Sequence, residues 1–295
     1  MVTAPRPLIE WDRADAATLW AGRLLNNTDR WLEDGYYYVQ PEGYTPAGKN
    51  YFYRLSAAYM ATAMAWPCAD PAAKYLSLPM IDKMISYQTE EGYFPTTSES
   101  DWLQTDYGIG TGFYDTRFNT DFATGLVAAY QTYGMAECRA AMRRYLDFFE
   151  AHAARNHIAF AGDAGEGWMV SEYWNPNGGK QTHASLNHQA SELLLLQRAR
   201  DVMQLDHTEL SDKMLRGIEN SESIWVKADG NLEYGVMPDG TTMMGEDYPE
   251  LTYNDLYDLQ DYLEKHGTPR SQPIRRLMIS KREWMIHNKV TGYRQ

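Results

Sequence analysis

Two histidines, a glutamate and a tyrosine lie close together near the middle of the sequence. Glu172 and Tyr173 precede a turn rich in Asn and Gly, and His183 and His188 follow it. Removing a proton from a carbon next to a carboxylate needs a base that titrates near neutral pH, a proton donor on the opposite side, and a cation or amide for the developing charge. Histidine and tyrosine can serve as base and donor, and Asn187 can hold the substrate carboxylate.

The position of the two histidines at the start of a predicted helix indicates a pocket. The helical pattern over residues 184–203 becomes apolar only at Leu193, whereas a helix needed only for packing shows an apolar stripe from its first turn. Polar side chains at a helix N-terminus are typical of the rim of a site. Five positions separate His183 from His188, or ~140° around a helix. We therefore expect one of them to be catalytic, and a structural role is equally open for either.

A second group of candidate residues lies where a long loop leads into another helix. The side chains predicted to bind substrate are Tyr107, Tyr114, Asp115, Arg117 and Asn119, together with Trp174 and Asn187 of the first group. Asp121 is either an acid favoured by the dipole at a helix start or a general base or sugar ligand. Arg117 can pair with a substrate carboxylate or with a neighbouring aspartate. We expect the two groups to meet in one pocket.

The helical pattern of the whole chain predicts the elements that position these residues. Helices are predicted at 14–33, 51–66, 72–88, 119–133, 136–155, 184–203, 209–224, 254–265 and 273–286, with an aromatic strand at 168–174 and a long polar, aromatic loop at 89–117. Asp229-Gly230 predicts a small β-hairpin near 224–237. The helices come mostly in successive pairs, so we expect an all-α fold, an α/α toroid formed by residues 1–295 as a single domain. An irregular helical bundle is the competing architecture.

Charge and aromatic content limit the classes of partner. The chain has 27 basic and 40 acidic residues, a net charge of -13, which argues against nucleic acid and anionic membrane surfaces. It contains 22 Tyr and 9 Trp but only 8 Phe. An excess of aromatic side chains that also form hydrogen bonds is typical of sugar-binding clefts. A carbohydrate is therefore the expected substrate.

Cofactor, metal and membrane signals are weak or missing in the sequence. No His-Glu-x-x-His motif, calcium loop or phosphate-binding Gly-x-x-x-x-Gly-Lys loop is present, so no metal or cofactor is predicted. Cys68 and Cys138 are too few for a disulfide framework and are expected to be buried free thiols. No apolar run approaches the ~20 residues of a membrane helix. We expect a cytoplasmic protein, or a secreted or periplasmic one if a leader was removed.

Two segments resemble known families. The motif Ser171-Glu172-Tyr173, followed by a turn, by Leu186-Asn187-His188-Gln189 and by the Leu-rich run 193–196, resembles the C-terminal helical domain of D-glucuronyl C5-epimerases. This resemblance is close over roughly 25 residues and looser over about half the chain, and it extends to other α/α-toroid carbohydrate enzymes. It implies proton abstraction at C5 of a uronic acid. The segment Tyr87-Gln88 with Glu91-Gly92-Tyr93-Phe94 resembles turns of toroidal terpenoid cyclases and supports the toroid.

These observations leave four functional hypotheses. The first is an epimerase or lyase that removes the C5 proton of a uronic acid. The second is a glycoside hydrolase with Asp121 and Glu172 as its paired carboxylates, or with Asp115 or Glu166 as a substitute. The third is a glycan-binding module without turnover, and the fourth is a cyclase that acts on an apolar substrate.

Overall fold

The computed structural model describes residues 71–96 and 99–295, with side chains from residue 78 onward. The predicted helices at 14–33 and 51–66 and the thiol of Cys68 lie outside the described residues. By its internal contacts the chain divides into two compact units. The first comprises Met1–Phe148 and Asn175–Asn177, and the second comprises Phe149–Trp174 and Gly178–Gln295. The assignment of residues 1–295 to a single domain stays a prediction.

The described part of the first unit, from residue 71 onward, contains mainly helices. They are α1 (Pro71–Ser86), α2 (Asp101–Tyr107), α3 (Thr116–Tyr133) and the first part of α4 (Ala136–Arg155), with the short strand β1 (Tyr114–Asp115) before α3. The bounds of α4 match the prediction, and those of α1 and α3 differ by only a few residues. The aromatic side chains of this unit form its core: Phe94 packs edge-to-face on Phe122 with ring centroids 4.6 Å apart, and Tyr114 packs on Phe148 at 4.9 Å.

Local hydrogen bonds explain two differences from the sequence prediction in the first unit. The 89–117 segment, expected to be a loop throughout, contains α2, because the Ser100 hydroxyl accepts a hydrogen bond from the Leu103 amide and caps a helix. Gly108 ends α2 with a φ of 70°. Helix α3 begins earlier than predicted, because the carboxylate of Asp115 accepts from the Phe118 amide at 3.0 Å and caps its first turn.

The second unit combines helices with five short strands. Its elements are β2 (His157–Phe160), β3 (Gly167–Val170), β4 (Tyr173–Trp174), α5 (Leu186–Met203), α6 (Thr208–Asn220), α7 (Glu222–Trp225), β5 (Gly235–Val236), β6 (Thr242–Met243), α8 (Leu251–Lys265) and α9 (Gln272–His287). Strands β2 and β3 pair antiparallel, as do β5 and β6. Helices α6 and α8 both pack against α5, which explains why α5 is buried around most of its circumference.

A close approach of glycines positions α6 on the β2–β3 hairpin. A Cβ atom on Gly217 of α6 would lie 2.1 Å from the Trp168 carbonyl oxygen, and one on Gly167 would lie 2.2 Å from the backbone of Arg216. Only glycine permits this separation. The Gln189 side chain of α5 completes the junction: it donates to the carbonyls of Trp168 and Met214 and accepts from the Val170 amide. The hairpin, α5 and α6 therefore form one packed layer.

The region 224–237 differs in part from the prediction. The turn at Asp229-Gly230 is confirmed, with Gly230 at a φ of 87° and an antiparallel bridge between Val226 and Leu232. The residues expected to begin the first strand, at 224–225, instead end helix α7. The buried indole of Trp225 donates to the hydroxyl of Ser221 at 2.8 Å, and this contact favours the helical turn. A second hairpin, β5–β6, follows.

No helix within the described ranges 71–96 and 99–295 has the length and apolar character needed to cross a bilayer.

Candidate active site

The carboxylate of Glu172 lies between the imidazoles of His183 and His188. The distances from Oε2 of Glu172 to the Nε2 atoms are 3.2 Å for His183 and 3.4 Å for His188. Glu172 and His183 have no exposed surface, whereas His188 is 7% exposed. We call this group of three residues the Glu172 cluster. The sequence singled out each member, and the structure brings them into contact.

Backbone pairing, rather than a helix face, places the two imidazoles on one carboxylate. The Glu172 amide donates to the His183 carbonyl at 3.0 Å, and the Tyr173 amide donates to the Thr182 hydroxyl. His183 therefore lies on an extended segment before α5, while His188 lies in the first turn of α5. The angular argument based on a helix containing both residues does not apply. That only one of them is catalytic stays a prediction.

Charge compensation decides the ionisation of Glu172. Burial alone raises the pKa of this carboxyl, but the positive charges of His188 and His183 outweigh it and lower the pKa to about 2. A carboxylate without solvent contact is stable only beside a cation. At neutral pH the cluster therefore holds an ionised Glu172, whose negative charge stabilises a proton taken up by a neighbouring imidazole.

Aromatic rings surround the Glu172 cluster. The Tyr173 ring centroid lies 6.0 Å from that of His183 and 6.2 Å from that of His188. Tyr234 lies on another side, 5.8 Å from His183. The sequence analysis identified Tyr173 but missed Tyr234. Nothing in the spacing of Tyr234 signals this contact, because it comes from the β5 region, far along the chain.

Strand β5 lies directly against the cluster. The amide of Ala184 donates to the Val236 carbonyl at 2.9 Å, and the Val236 amide donates back to the Ala184 carbonyl at 2.8 Å. Gly235 makes this approach possible, because a Cβ atom there would lie 3.1 Å from the Ala184 oxygen and 3.2 Å from Cδ2 of His183. The β5–β6 hairpin is thus fixed to the residue after His183.

Two further polar residues lie near the members of the cluster. Glu192 is buried on α5, four residues after His188 and so on the same helix face. The sequence analysis missed it, although the His-x-x-x-Glu spacing was a usable signal. The Asn187 amide oxygen accepts a hydrogen bond from the Ser185 hydroxyl at 2.7 Å. Trp174 lies on β4 with its ring centroid 6.4 Å from that of His152.

A third histidine supports the segment between β3 and β4 that carries Glu172. His152 is buried. Its Nε2 lies 3.0 Å from the Ser171 carbonyl oxygen, and its Nδ1 lies 3.2 Å from the side-chain nitrogen Nδ2 of Asn156. This geometry fits a neutral ring that donates through Nε2 and accepts through Nδ1. Burial lowers the pKa of His152 from 6.5 to about 4. His152 therefore fixes the residue next to Glu172 without adding charge.

We expect protonation of His152 to destabilise the fold in mild acid. The unfolded chain takes up this proton near pH 6.5 and the folded chain only near pH 4, so stability falls as the pH drops through that range. The loss is about 3 kcal/mol, at ~1.4 kcal/mol per pKa unit. Chemical denaturation at several pH values between 6.5 and 4.5 measures it. His152→Gln, whose amide can still donate to Ser171, should flatten this dependence, and His266→Gln, at an exposed site, should not. An unchanged slope in His152→Gln would contradict the assignment.

In the first unit, the predicted polar residues form hydrogen bonds within the protein. Asp115 caps α3, and Arg117 forms an ion pair with Asp121 at 3.1 Å, one of the alternatives left open by the sequence. Burial raises the pKa of Asp121, although the charge of Arg117 lowers it. The side chain of Asn119 bonds to both backbone polar groups of Phe94. These contacts order the loop before α3.

The two tyrosines of the first unit that were predicted to bind substrate, Tyr107 and Tyr114, are also buried. The Tyr114 hydroxyl lies 3.1 Å from that of Tyr145, and Tyr107 ends α2 with its ring 6.1 Å from that of Trp102. That these residues bind substrate, and that they share one pocket with the Glu172 cluster, stays a prediction.

Within residues 71–96 and 99–295, no three His, Cys, Asp or Glu side chains are grouped so as to hold a metal ion. Cys138 is a buried free thiol, as predicted, and burial raises its pKa to about 12.

Structural comparison identifies the fold. A cellobiose 2-epimerase from Spirochaeta thermophila superposes with a TM-score of 0.58 at 13% identity, over 80% of this chain and 58% of that one. A D-mannose isomerase gives 0.59 at 12% identity, over 92% and 74%. A family 76 glycoside hydrolase from a bovine Bacteroides thetaiotaomicron strain gives 0.58 at 8% identity, over 92% and 57%. This chain thus spans less than two thirds of the epimerase and of the hydrolase.

These similarities confirm the predicted all-α fold, an α/α toroid with small β-hairpins. At such low identity they show the fold alone. No protein-family model matches the chain, and no curated protein matches its sequence.

Proposed function

We propose that this protein is a carbohydrate-active enzyme, a sugar isomerase or epimerase that moves a proton on a carbon next to a carbonyl group. The observation that carries the proposal is the buried Glu172 carboxylate in contact with two imidazoles. Two of the similar structures support this class, since one is a cellobiose 2-epimerase and the other a D-mannose isomerase.

The difference in exposure assigns roles to the two histidines in this proposal. His188 has accessible surface and His183 has none, so His188 is the base that meets the sugar. It takes the proton from the carbon, leaving an enediolate, and the imidazolium that forms is stabilised by Glu172. Returning the proton to the neighbouring carbon, with the hydroxyl proton passing to the former carbonyl oxygen, gives an isomer. An epimer forms when the enediolate turns over in the site, so that His188 returns the proton to the opposite face of the same carbon. His183 keeps Glu172 ionised.

The other hypotheses fit the described cluster less well. A hydrolase needs a protonated carboxyl and an ionised one on either side of the bond, whereas the Glu172 cluster contains a single carboxyl, which is ionised because its pKa is lowered to about 2. A cyclase of the terpenoid type needs an isolated acid, whereas Glu172 has two imidazole partners. C5 epimerisation or elimination on a uronic acid shares the proton abstraction proposed here. The net charge of -13 favours a neutral sugar over an acidic one.

A substrate panel tests the class of reaction. We expect neutral reducing sugars to be converted to a new epimer or ketose, which chromatography detects. His188→Gln should lower the rate by a factor of about 10² to 10⁴, the usual contribution of a general base. His266→Gln, at an exposed site, is the matched control and should keep the rate. Rising ultraviolet absorbance on uronic-acid glycans would instead show a lyase, and new reducing ends a hydrolase. Binding without turnover would show a glycan-binding module. Each of these three outcomes overturns the proposal.

A further inference from the structure

The β5–β6 hairpin leads from the Glu172 cluster to the surface of the second unit. Its first strand packs on His183 through Gly235 and is fixed to Ala184 by two backbone hydrogen bonds. Its second strand, Thr242–Met243, pairs antiparallel with the first. Whatever occupies the outer side of this hairpin is therefore held at a fixed distance from His183.

A surface recess of about 400 Å³ lies at the outer side of the hairpin. Residues 242–246 line it together with Lys227 and Glu233. Ligand sites in proteins generally have volumes of ~300–1,000 Å³, so the recess is large enough for a small ligand. We call it the hairpin recess.

Two tyrosines connect the hairpin recess with the cluster. Tyr234 lies 5.8 Å from His183 on one side and 6.0 Å from Tyr248 on the other, measured between ring centroids. The backbone of Gly245, which lines the recess, packs on Tyr234: a Cβ atom there would lie 3.5 Å from its Cβ. Tyr248 is 44% exposed. A continuous series of rings thus extends from the buried imidazole to the surface.

The polar groups of the hairpin recess fit hydroxyls better than a charged ligand. Lys227 Nζ lies 2.9 Å from the Glu246 carboxylate, and Glu233 adds a second carboxylate. Sugar hydroxyls can donate to the carboxylates and accept from the ammonium group. Met243 and Met244 in the lining offer adaptable apolar surface, and the exposed ring of Tyr248 offers a flat one for the face of a sugar ring. The recess has two carboxylates and one ammonium group, so its net negative charge disfavours binding of a sugar that carries its own carboxylate.

We propose that the hairpin recess and Tyr248 form an outer subsite for a neutral sugar unit, so that the substrate is a disaccharide or longer. This proposal rests on the proposed function, because the inner sugar is the one that reaches His188. Tyr248 and Glu246 hold the outer unit, and Tyr234 lies between the two sugars.

The kinetic test compares a disaccharide with the monosaccharide of its reducing end. Tyr248→Ala and Glu246→Gln should each lower kcat/KM for the disaccharide about tenfold, which is within the range of one lost contact, and leave the monosaccharide within about twofold. Tyr257→Ala on α8 is the matched control and should change neither. Equal losses on both sugars would overturn the proposal, because they would show an effect on the reacting centre. Wild-type values for both substrates in both variants would also overturn it.

Calorimetry with a neutral disaccharide alcohol separates the subsite from the reaction. This probe has no carbonyl group and cannot be turned over, so its affinity reports binding alone. We expect binding by the wild-type protein and by His188→Gln, and an affinity about tenfold weaker in Tyr248→Ala. If no sugar is turned over but this pattern holds, the proposed function fails and the subsite stands. If the probe does not bind, or binds Tyr248→Ala equally well, the subsite fails even where sugars are turned over.

Discussion

We expect the Glu172→Gln variant to remain folded and its kcat to fall by a factor of about 10² to 10⁴. Glutamine keeps the size of the side chain but removes the charge that stabilises the imidazolium formed when His188 takes up a proton. The loss should appear in kcat more than in KM, because the charged form of the base exists only after proton transfer. Steady-state kinetics with the best sugar of the panel measure it, and a thermal melt establishes that the variant is folded.

The pH profile distinguishes this electrostatic role from a purely structural one. Without the carboxylate, protonated imidazole is less favoured, so the acidic limb of kcat/KM should move to lower pH. Glu209→Gln, which changes an exposed carboxylate on α6, is the control and should keep the wild-type rate and profile. A folded Glu172→Gln protein with wild-type kcat and an unchanged profile would refute the role assigned to Glu172.

The Lys281→Met variant is expected to lose about 3–5 kcal/mol of unfolding free energy, the usual cost of removing one partner of a buried ion pair. Lys281 has no exposed surface, and its ammonium donates to Asn231, to the Asp247 carboxylate at 2.7 Å and to the Tyr248 carbonyl. These contacts join α9 to the segments on both sides of the β5–β6 hairpin. Methionine leaves the carboxylate of Asp247 buried without its cation.

Urea denaturation measures this loss, and two variants control it. Lys265→Met removes an exposed pair with Asp261 and should change the unfolding free energy little, because solvent screens such a pair. Adding Asp247→Asn to Lys281→Met should recover part of the stability, because the remaining side chain is then neutral. A Lys281→Met protein as stable as Lys265→Met would contradict the account of this ion pair. Burial raises the pKa of Asp247 even though the charge of Lys281 lowers it, so the Asp247 carboxylate depends on this cation.

The sequence predicted the long helices because their apolar periodicity and end signals agree. Gly134 separates α3 from α4 in a left-handed conformation with a φ of 67°, and the bounds of α4 matched. Short elements were harder to predict. Helix α2 has only seven residues, too few for a periodic pattern, and its start depends on the single Ser100 cap. The β5–β6 hairpin consists of two-residue strands, which leave no alternating pattern to detect.

The sequence pointed to the three residues of the Glu172 cluster, but it did not show which contacts they make. Polar side chains in the first turn of α5 pointed to His188, and the preceding strand pointed to Glu172. Their meeting with His183 depends on backbone pairing between residues 172 and 183, and the approach of Tyr234 depends on the pairing of Ala184 with Val236. Register between distant segments is set by tertiary packing, which one sequence does not display. The resemblance to D-glucuronyl C5-epimerases stays a prediction, whereas the toroid is confirmed.

Deuterium incorporation from solvent tests the central claim most directly. The enzyme is incubated in D₂O with the neutral sugar that it converts, and the product is examined by NMR and mass spectrometry. If His188 removes a proton from carbon, the product carries deuterium at the carbon that changed, and His188→Gln forms it at a rate lower by about 10² to 10⁴. A product that lacks solvent deuterium and that His188→Gln forms at the full rate would contradict proton transfer by the Glu172 cluster.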